Sequence, residues 1–282
     1  MTVKFAGLEL KNPFLASSGC WGYGWEGEEY FPGLGWGAVI SKTITVEKRE
    51  GNRPPRIFEL ENAVINRIGL QNCGLDAFIE NELPKTRYLP YPVIMSIFGN
   101  NTAEWIKLVT VLSAEDVTAF ELNLSCPNIK GEKMVENIPE CLKTAEILKG
   151  LTEKPIIAKI NALDNPAVLS RDLEKAGIDG IVCSNTLPAA FYHEKTFYEG
   201  GLSGPAIKPV VLKAILNIRR MTGIDIAACG GIVSLDDIEE YRQSGANAFM
   251  LGSILLSQPE ILREINPFFA IGMKNRDGKD II

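Results

Sequence analysis

The chain has 282 residues, 46% hydrophobic and 23% charged, with a formal net charge of −6. That balance excludes a disordered or collagen-like chain, and the lack of any basic stripe argues against nucleic-acid binding. No apolar run approaches the roughly 20 residues of a membrane helix, and the start Met1-Thr2-Val3-Lys4-Phe5 does not read as an export signal, so the expectation is a cytoplasmic protein without membrane association. The six cysteines, Cys20, Cys73, Cys126, Cys141, Cys183 and Cys229, form no CxxC pair. Free thiols are expected, with no metal site in this chain.

In chain order, Val3–Phe5 and Leu8–Leu10 flank a glycine and predict a hairpin. Strands are expected at Phe14–Ser18, Ala38–Lys42, Val93–Phe98, Ala119–Leu124, Ile156–Ile160, Gly180–Asn185, Ile226–Cys229 and Ala248–Leu251. Several are apolar on both faces, as strands walled in by helices should be. Helical periodicity marks Thr102–Leu112, Pro139–Leu148, Pro166–Ala176, Ile207–Met221 and Leu235–Ser244, the last capped by Ser234 and closed by Gly245. Eight strand–helix repeats predict an α/β fold, a (β/α)₈ TIM barrel spanning 1–282 as a single domain, with the hairpin across its bottom. Gly22–Gly37 and Thr43–Asn62 read as polar rim insertions.

Function in such a barrel gathers at the C-terminal ends of its strands. Those ends carry Ser18, Lys42, Thr43, Asn123, Cys126, Lys159, Asn185 and Thr186. A lysine ending a buried strand must meet water or an anion, so Lys42 and Lys159 beside several amides favour an anionic ligand. Gly230-Gly231 and Gly252-Ser253 follow the last two strands, where such barrels bind phosphate through close backbone approach. Cys126 stands in the polar loop Ser125-Cys126-Pro127-Asn128, as a nucleophile or general base, whereas Cys73, Cys141, Cys183 and Cys229 read as small buried hydrophobes. The single histidine, His193, lies in a segment read as a polar loop.

Ser41-Lys42-Thr43, the stretch Arg49 to Arg56, Asn66 to Asn72, Asn123 to Asn128, Gly200 to Pro209 and Gly230-Gly231 together resemble class 1 dihydroorotate dehydrogenases. Ile-Gly-Leu-Gln-Asn and Gly-Gly-Leu-Ser-Gly-Pro-Ala-Ile-Lys-Pro are similar to the catalytic subunit of class 1B. The resemblance implies FMN held by Ser18, Lys42, Thr43, Asn123, Lys159, Gly204, Gly230, Gly231, Gly252 and Ser253. It implies substrate contacts from Lys42, Asn66, Ile68, Gly69, Leu70, Asn123, Asn128, Asn185 and Thr186, with Cys126 as catalytic base. The implied reaction is dihydroorotate oxidation to orotate in pyrimidine synthesis. The implied assembly is a homodimer core with a partner subunit carrying FAD and a [2Fe-2S] cluster. A uracil or thymine oxidoreductase and a non-catalytic flavin-binding barrel are the alternatives. Departures from the pattern are Arg67, Cys73, Ser96 and two shortened loops, Ile129–Asn137, read as the active-site lid, and Leu187–Glu199.

Overall fold

The structure is a computed structural model that describes residues 2–124 and 137–270. Cys126, Asn128 and nearly all of the expected lid lie outside the described residues. Strands β1 (Val3–Phe5) and β2 (Leu8–Leu10) pair antiparallel. They lead into β3 (Phe14–Ala16), α1 (Trp25–Tyr30), β4 (Ala38–Ile40), β5 (Ile57–Leu60) and β6 (Ala63–Asn66). A helical stretch then runs from α2 (Leu75–Ala77) through a π turn into α3 (Leu83–Thr86). Next come β7 (Val93–Ile97), α4 (Thr102–Ser113), β8 (Ala119–Asn123), α5 (Ile138–Leu151), β9 (Ile156–Ile160), α6 (Pro166–Lys175) and β10 (Gly180–Cys183). A hairpin of β11 (Leu187–His193) and β12 (Thr196–Ser203) precedes α7 (Lys208–Arg219), β13 (Asp225–Cys229), α8 (Leu235–Ser244), β14 (Ala248–Leu251) and α9 (Leu262–Ala270).

Eight of these strands close a barrel in the order β3-β4-β7-β8-β9-β10-β13-β14, every pair parallel. Successive side chains on a strand point to opposite faces, so every second residue meets the barrel axis. The lower interior is apolar: Leu15, Ile40, Ile94, Ala119, Ile157, Val182, Ala227 and Ala248 pack with Phe5 and Leu10 of the hairpin. The hairpin thus closes the bottom, where Ala6 N donates to Asp225 Oδ2 at 2.8 Å. Two residues further along the same eight strands stand Ser17, Lys42, Ser96, Glu121, Lys159, Ser184, Cys229 and Met250. The interior therefore turns from apolar to largely polar toward the C-terminal mouth.

Several expected boundaries move. The first, second and sixth barrel strands end two residues early, at Ala16, Ile40 and Cys183. The residues beyond leave the ladder to line the mouth instead. The rim insertions hold regular structure that their composition hid: α1 lies within Gly22–Gly37, and β5 within Thr43–Asn62. Leu187–Glu199 is not a loop but most of a hairpin, so His193 ends a strand rather than sitting in a polar loop. Its aromatics, Phe191 and Tyr198, pack on Phe58 with ring centroids 4.6 and 5.3 Å away. Together β11, β12, β6 and β5 form a four-stranded sheet beside the mouth. The caps of α8 match expectation: Ser234 accepts from Asp237 N, and Gly245 takes a φ of 104°.

Glycine 37 tests the packing of the barrel wall. A Cβ there would stand 2.1 Å from the carbonyl oxygen of Asn12, whereas one at Gly150 on α5 meets nothing within 4 Å. Gly37→Ala should cost about 1–3 kcal/mol or more, the range for overpacking. Gly150→Ala should be neutral or stabilise by up to about 1 kcal/mol. Denaturant unfolding of the two variants against the parent chain checks both signs.

Candidate active site

A cavity of about 420 Å³ opens at the C-terminal mouth of the barrel, within the few-hundred-Å³ range of small-molecule sites. Its floor is polar. Asn123 and Lys159 are register partners on β8 and β9, 4% and 5% exposed. Asn123 Nδ2 donates to Thr43 Oγ1 at 3.2 Å, and Asn123 Oδ1 accepts from Asn185 Nδ2 at 3.1 Å. Thr43 Oγ1 also lies 3.3 Å from Ser18 Oγ and 2.9 Å from Ser96 Oγ. Thr186 N closes this run on Asn185 Oδ1 at 2.9 Å. One connected set of hydrogen bonds therefore links β3, β4, β7, β8 and β10 through the residues at or just beyond their ends.

One wall is a loop fastened by its own backbone. Asn52 N donates to Ile68 O at 2.9 Å and Asn52 Nδ2 to Arg67 O at 2.9 Å. Arg49 and Asn72 exchange backbone hydrogen bonds of 3.1 and 3.0 Å. Arg56 reaches Gln71 Oε1 at 2.7 Å. These ties set Ile68, Gly69 and Leu70 against the cavity. Gly69 has a φ of 77°, and a Cβ there would lie 2.8 Å from Asn52 N, so the close approach needs glycine. Asn66 comes from β6, paired with Gly201 of β12. Arg67 turns outward, donating to the carbonyls of Arg53 and Pro55 and lying over the Tyr198 ring.

The opposite end is lined by Gly204, Gly230, Gly231, Gly252 and Ser253. Gly231 has a φ of 72°, and a Cβ there would stand 2.9 Å from Gly204 O. Tyr241 Oη donates to Gly230 O at 2.5 Å and fixes that turn from behind. Every site residue named from the sequence that falls among the described residues lies on this one cavity. Cys126 and Asn128 do not fall among them.

Sequence reasoning missed several lining residues, among them Ser17, Cys20, Glu26, Gln71, Ser184 and Cys229. The two-residue step from an apolar inward position identifies Ser17, Ser184 and Cys229. Cys229 is buried in the core as expected, yet it also belongs to the cavity lining, its Sγ 3.7 Å from Ser17 Oγ. Cys73 departs from the expectation of a buried hydrophobe, being half-buried with Sγ 3.3 Å from Tyr23 Oη. Cys141 and Cys183 do pack in the core.

Burial lowers the Lys42 ammonium below the ordinary lysine value, partly offset by the negative charge of Glu26 on the same cavity. Burial pushes the Cys20 thiol up to about 11, against a downward pull from Lys159. Cys20 is therefore a protonated thiol at neutral pH. In flavin-free protein its alkylation should stay slow at pH 8 and accelerate toward pH 11, while Lys159→Met should slow it further at each pH by removing the nearby cation. Peptide-resolved iodoacetamide labelling follows this, and a plateau already reached by pH 9 would contradict it.

A family model described as dihydroorotate dehydrogenase matches residues 1–268. The dihydroorotate dehydrogenase B (NAD(+)) catalytic subunit of Endomicrobium trichonymphae is 38% identical over 267 residues, 92% of this chain and 87% of that protein. The protein of the same name from Thermodesulfovibrio yellowstonii is 35% identical over 282 residues, covering 95% and 93%. Among solved structures, dihydroorotate dehydrogenase from Eimeria tenella in complex with ferulenol superposes with a TM-score of 0.81 at 21% identity, covering 94% of this chain and 82% of that one, a likeness of fold. The fold, the polar mouth and the matches along nearly the whole sequence lead to one assignment: the chain belongs to the dihydroorotate dehydrogenase family of flavin-dependent oxidoreductases.

Proposed function

We propose that the chain, as a single barrel domain, binds FMN and oxidises dihydroorotate to orotate in pyrimidine synthesis. The observation that carries this reading is the convergence of Lys42, three asparagines and a glycine-lined end on one cavity. The donor set fits FMN. Gly230, Gly231, Gly252 and Ser253 supply a close-approach backbone end of the kind that receives a phosphate. Lys159 and Asn123, almost fully buried, supply a cation and an amide for the polar edge of a flavin ring. Ser18, Thr43 and Gly204 complete that side. FMN, when bound, supplies the hydride acceptor.

The remaining residues suit dihydroorotate. Its ring alternates donors and acceptors, and an asparagine amide offers both, so Asn66, Asn123 and Asn185 with Thr186 can read it. Ile68, Gly69 and Leu70 bring backbone groups to the same wall. Lys42 offers a point charge to the substrate carboxylate, which uracil and thymine lack. Cys126, three residues beyond Asn123 in sequence, is proposed as the base that takes the C5 proton, with Asn128 as a further substrate contact. The relatives' name, catalytic subunit, supports an electron-accepting partner. We assign that partner the FAD and [2Fe-2S] cluster, with NAD⁺ as final acceptor, around a homodimer core in the cytoplasm. Among the described residues no helix is long and apolar enough to cross a membrane.

Two substitutions test the reading. Lys42→Ala, with flavin occupancy checked in parallel, should weaken orotate binding by about 1.5–3 kcal/mol, the scale of a charge-assisted hydrogen bond. Uracil should lose far less. Because burial lowers the Lys42 pKa, wild-type orotate affinity should fall with rising pH sooner than the ordinary lysine value implies. Calorimetric titration with both ligands measures this, and equal losses would remove carboxylate recognition from Lys42. Cys126→Ala should leave FMN bound and slow its anaerobic reduction by dihydroorotate by about two to four orders of magnitude. A wild-type rate in stopped flow would place the base elsewhere.

A further inference from the structure

The glycine-lined end of the cavity is built from two turns that touch. A Cβ on Gly231 would stand 2.9 Å from both Gly204 O and Pro205 Cα, and 3.1 Å from Lys208 Cβ. Each turn leads into a helix, the first into α7 at Lys208 and the second into α8 at Leu235. Lys208 does not line the cavity. Its ammonium instead crosses to α8, donating to Asp237 Oδ1 at 2.6 Å and lying 2.9 Å from Glu240 Oε2. Asp237 is buried, and its other oxygen accepts from Val233 N at 2.9 Å and from Ser234 Oγ at 2.8 Å. Tyr241, one helical turn further along α8, donates to Gly230 O. These contacts close a ring. It runs from Lys208 to Asp237, on to the chain just past Gly231, across to Gly204, and back to Lys208. Hydrogen bonds to Asp237 and Glu240 raise the Lys208 pKa. Burial raises that of Asp237, but the bonds from Lys208, Val233 N and Ser234 outweigh it and hold the carboxyl below its ordinary value. Both groups are therefore charged at neutral pH.

We propose that Lys208 and Asp237 are positioning residues for the phosphate of FMN, an ion pair behind the cavity that holds the Gly204 and Gly230-Gly231 turns in one frame. This role rests on the FMN reading above. It gives the glycine-lined end the rigidity that a backbone anion site needs, because N–H groups receive an oxyanion well only where several are fixed together. Lys208 also has an electrostatic effect. Asp237 and Glu240 place two carboxylates behind an end that is to receive an anion, and Lys208 offsets them. Without it their charge would act against a bound phosphate.

Riboflavin, which lacks the phosphate, separates this role from a general loss of structure. Lys208→Met should weaken FMN binding to the flavin-free chain about tenfold, the scale of one charge-assisted hydrogen bond read as an affinity, and leave riboflavin binding within about twofold of wild type. Asp237→Asn should weaken FMN with the same selectivity, although it removes a negative charge, because either variant breaks the ring. It decides alone if Lys208→Met fails to fold. Titration of each flavin, followed by the quenching of its fluorescence, gives both affinities. Equal losses of FMN and riboflavin overturn the proposal. So does an FMN affinity that is unchanged in Lys208→Met, or unchanged or raised in Asp237→Asn. A wild-type chain that binds both flavins alike takes the phosphate away from this end and overturns the proposal while the flavin reading stands. A wild-type chain that binds neither flavin overturns that reading and the proposal with it.

Discussion

A barrel strand has neighbours on both edges and a helix over its outer face, which leaves a polar side chain only one direction in which to be satisfied. It must point inward and lie high enough to reach the mouth. The eight strands obey this constraint together: each carries an apolar inward residue low down, and on seven of them the next inward position is Ser17, Lys42, Ser96, Glu121, Lys159, Ser184 or Cys229. The polar groups could not be spread along the barrel without leaving some unpaired in the apolar lower layer, a cost of several kcal/mol each. Gathered at one level, they satisfy one another across strands. Thr43, Asn123 and Asn185 bridge from β4 to β8 and beyond β10 in this way.

The same gathering makes the site rigid where chemistry needs it. The floor groups are held by regular strands and by mutual hydrogen bonds rather than by loops, as a preorganised site requires. The walls rely on different means. The Ile68–Leu70 wall is held by backbone bonds to Asn52 and by the Arg56–Gln71 contact, and the glycine-lined end by Tyr241. Glycine recurs at the closest approaches in both walls, Gly69 in one and Gly231 in the other, where an added Cβ would stand within 3 Å of neighbouring backbone.

Much of this was legible in the sequence. The eight apolar runs and their spacing predicted the barrel, and residues just past those runs predicted the mouth. Gly230-Gly231 and Gly252-Ser253, read from the sequence as lying just after the last two strands, do line the cavity at that end. Strand ends were read too long at Ser18, Lys42 and Asn185, since a polar residue that lines a site continues the alternation after the ladder has stopped. The β11–β12 hairpin was hidden because its apolar residues pack on Phe58 of the rim rather than on the barrel, so no core periodicity marked it.

The account stands on one claim, that this mouth holds a flavin and a carboxylated dihydropyrimidine together. Anaerobic addition of dihydroorotate to the purified, FMN-loaded chain, followed by its visible spectrum, tests that most directly. The account predicts that dihydroorotate bleaches the oxidised flavin stoichiometrically while dihydrouracil leaves it oxidised. An oxidised flavin that persists with dihydroorotate but is bleached by dihydrouracil would contradict it.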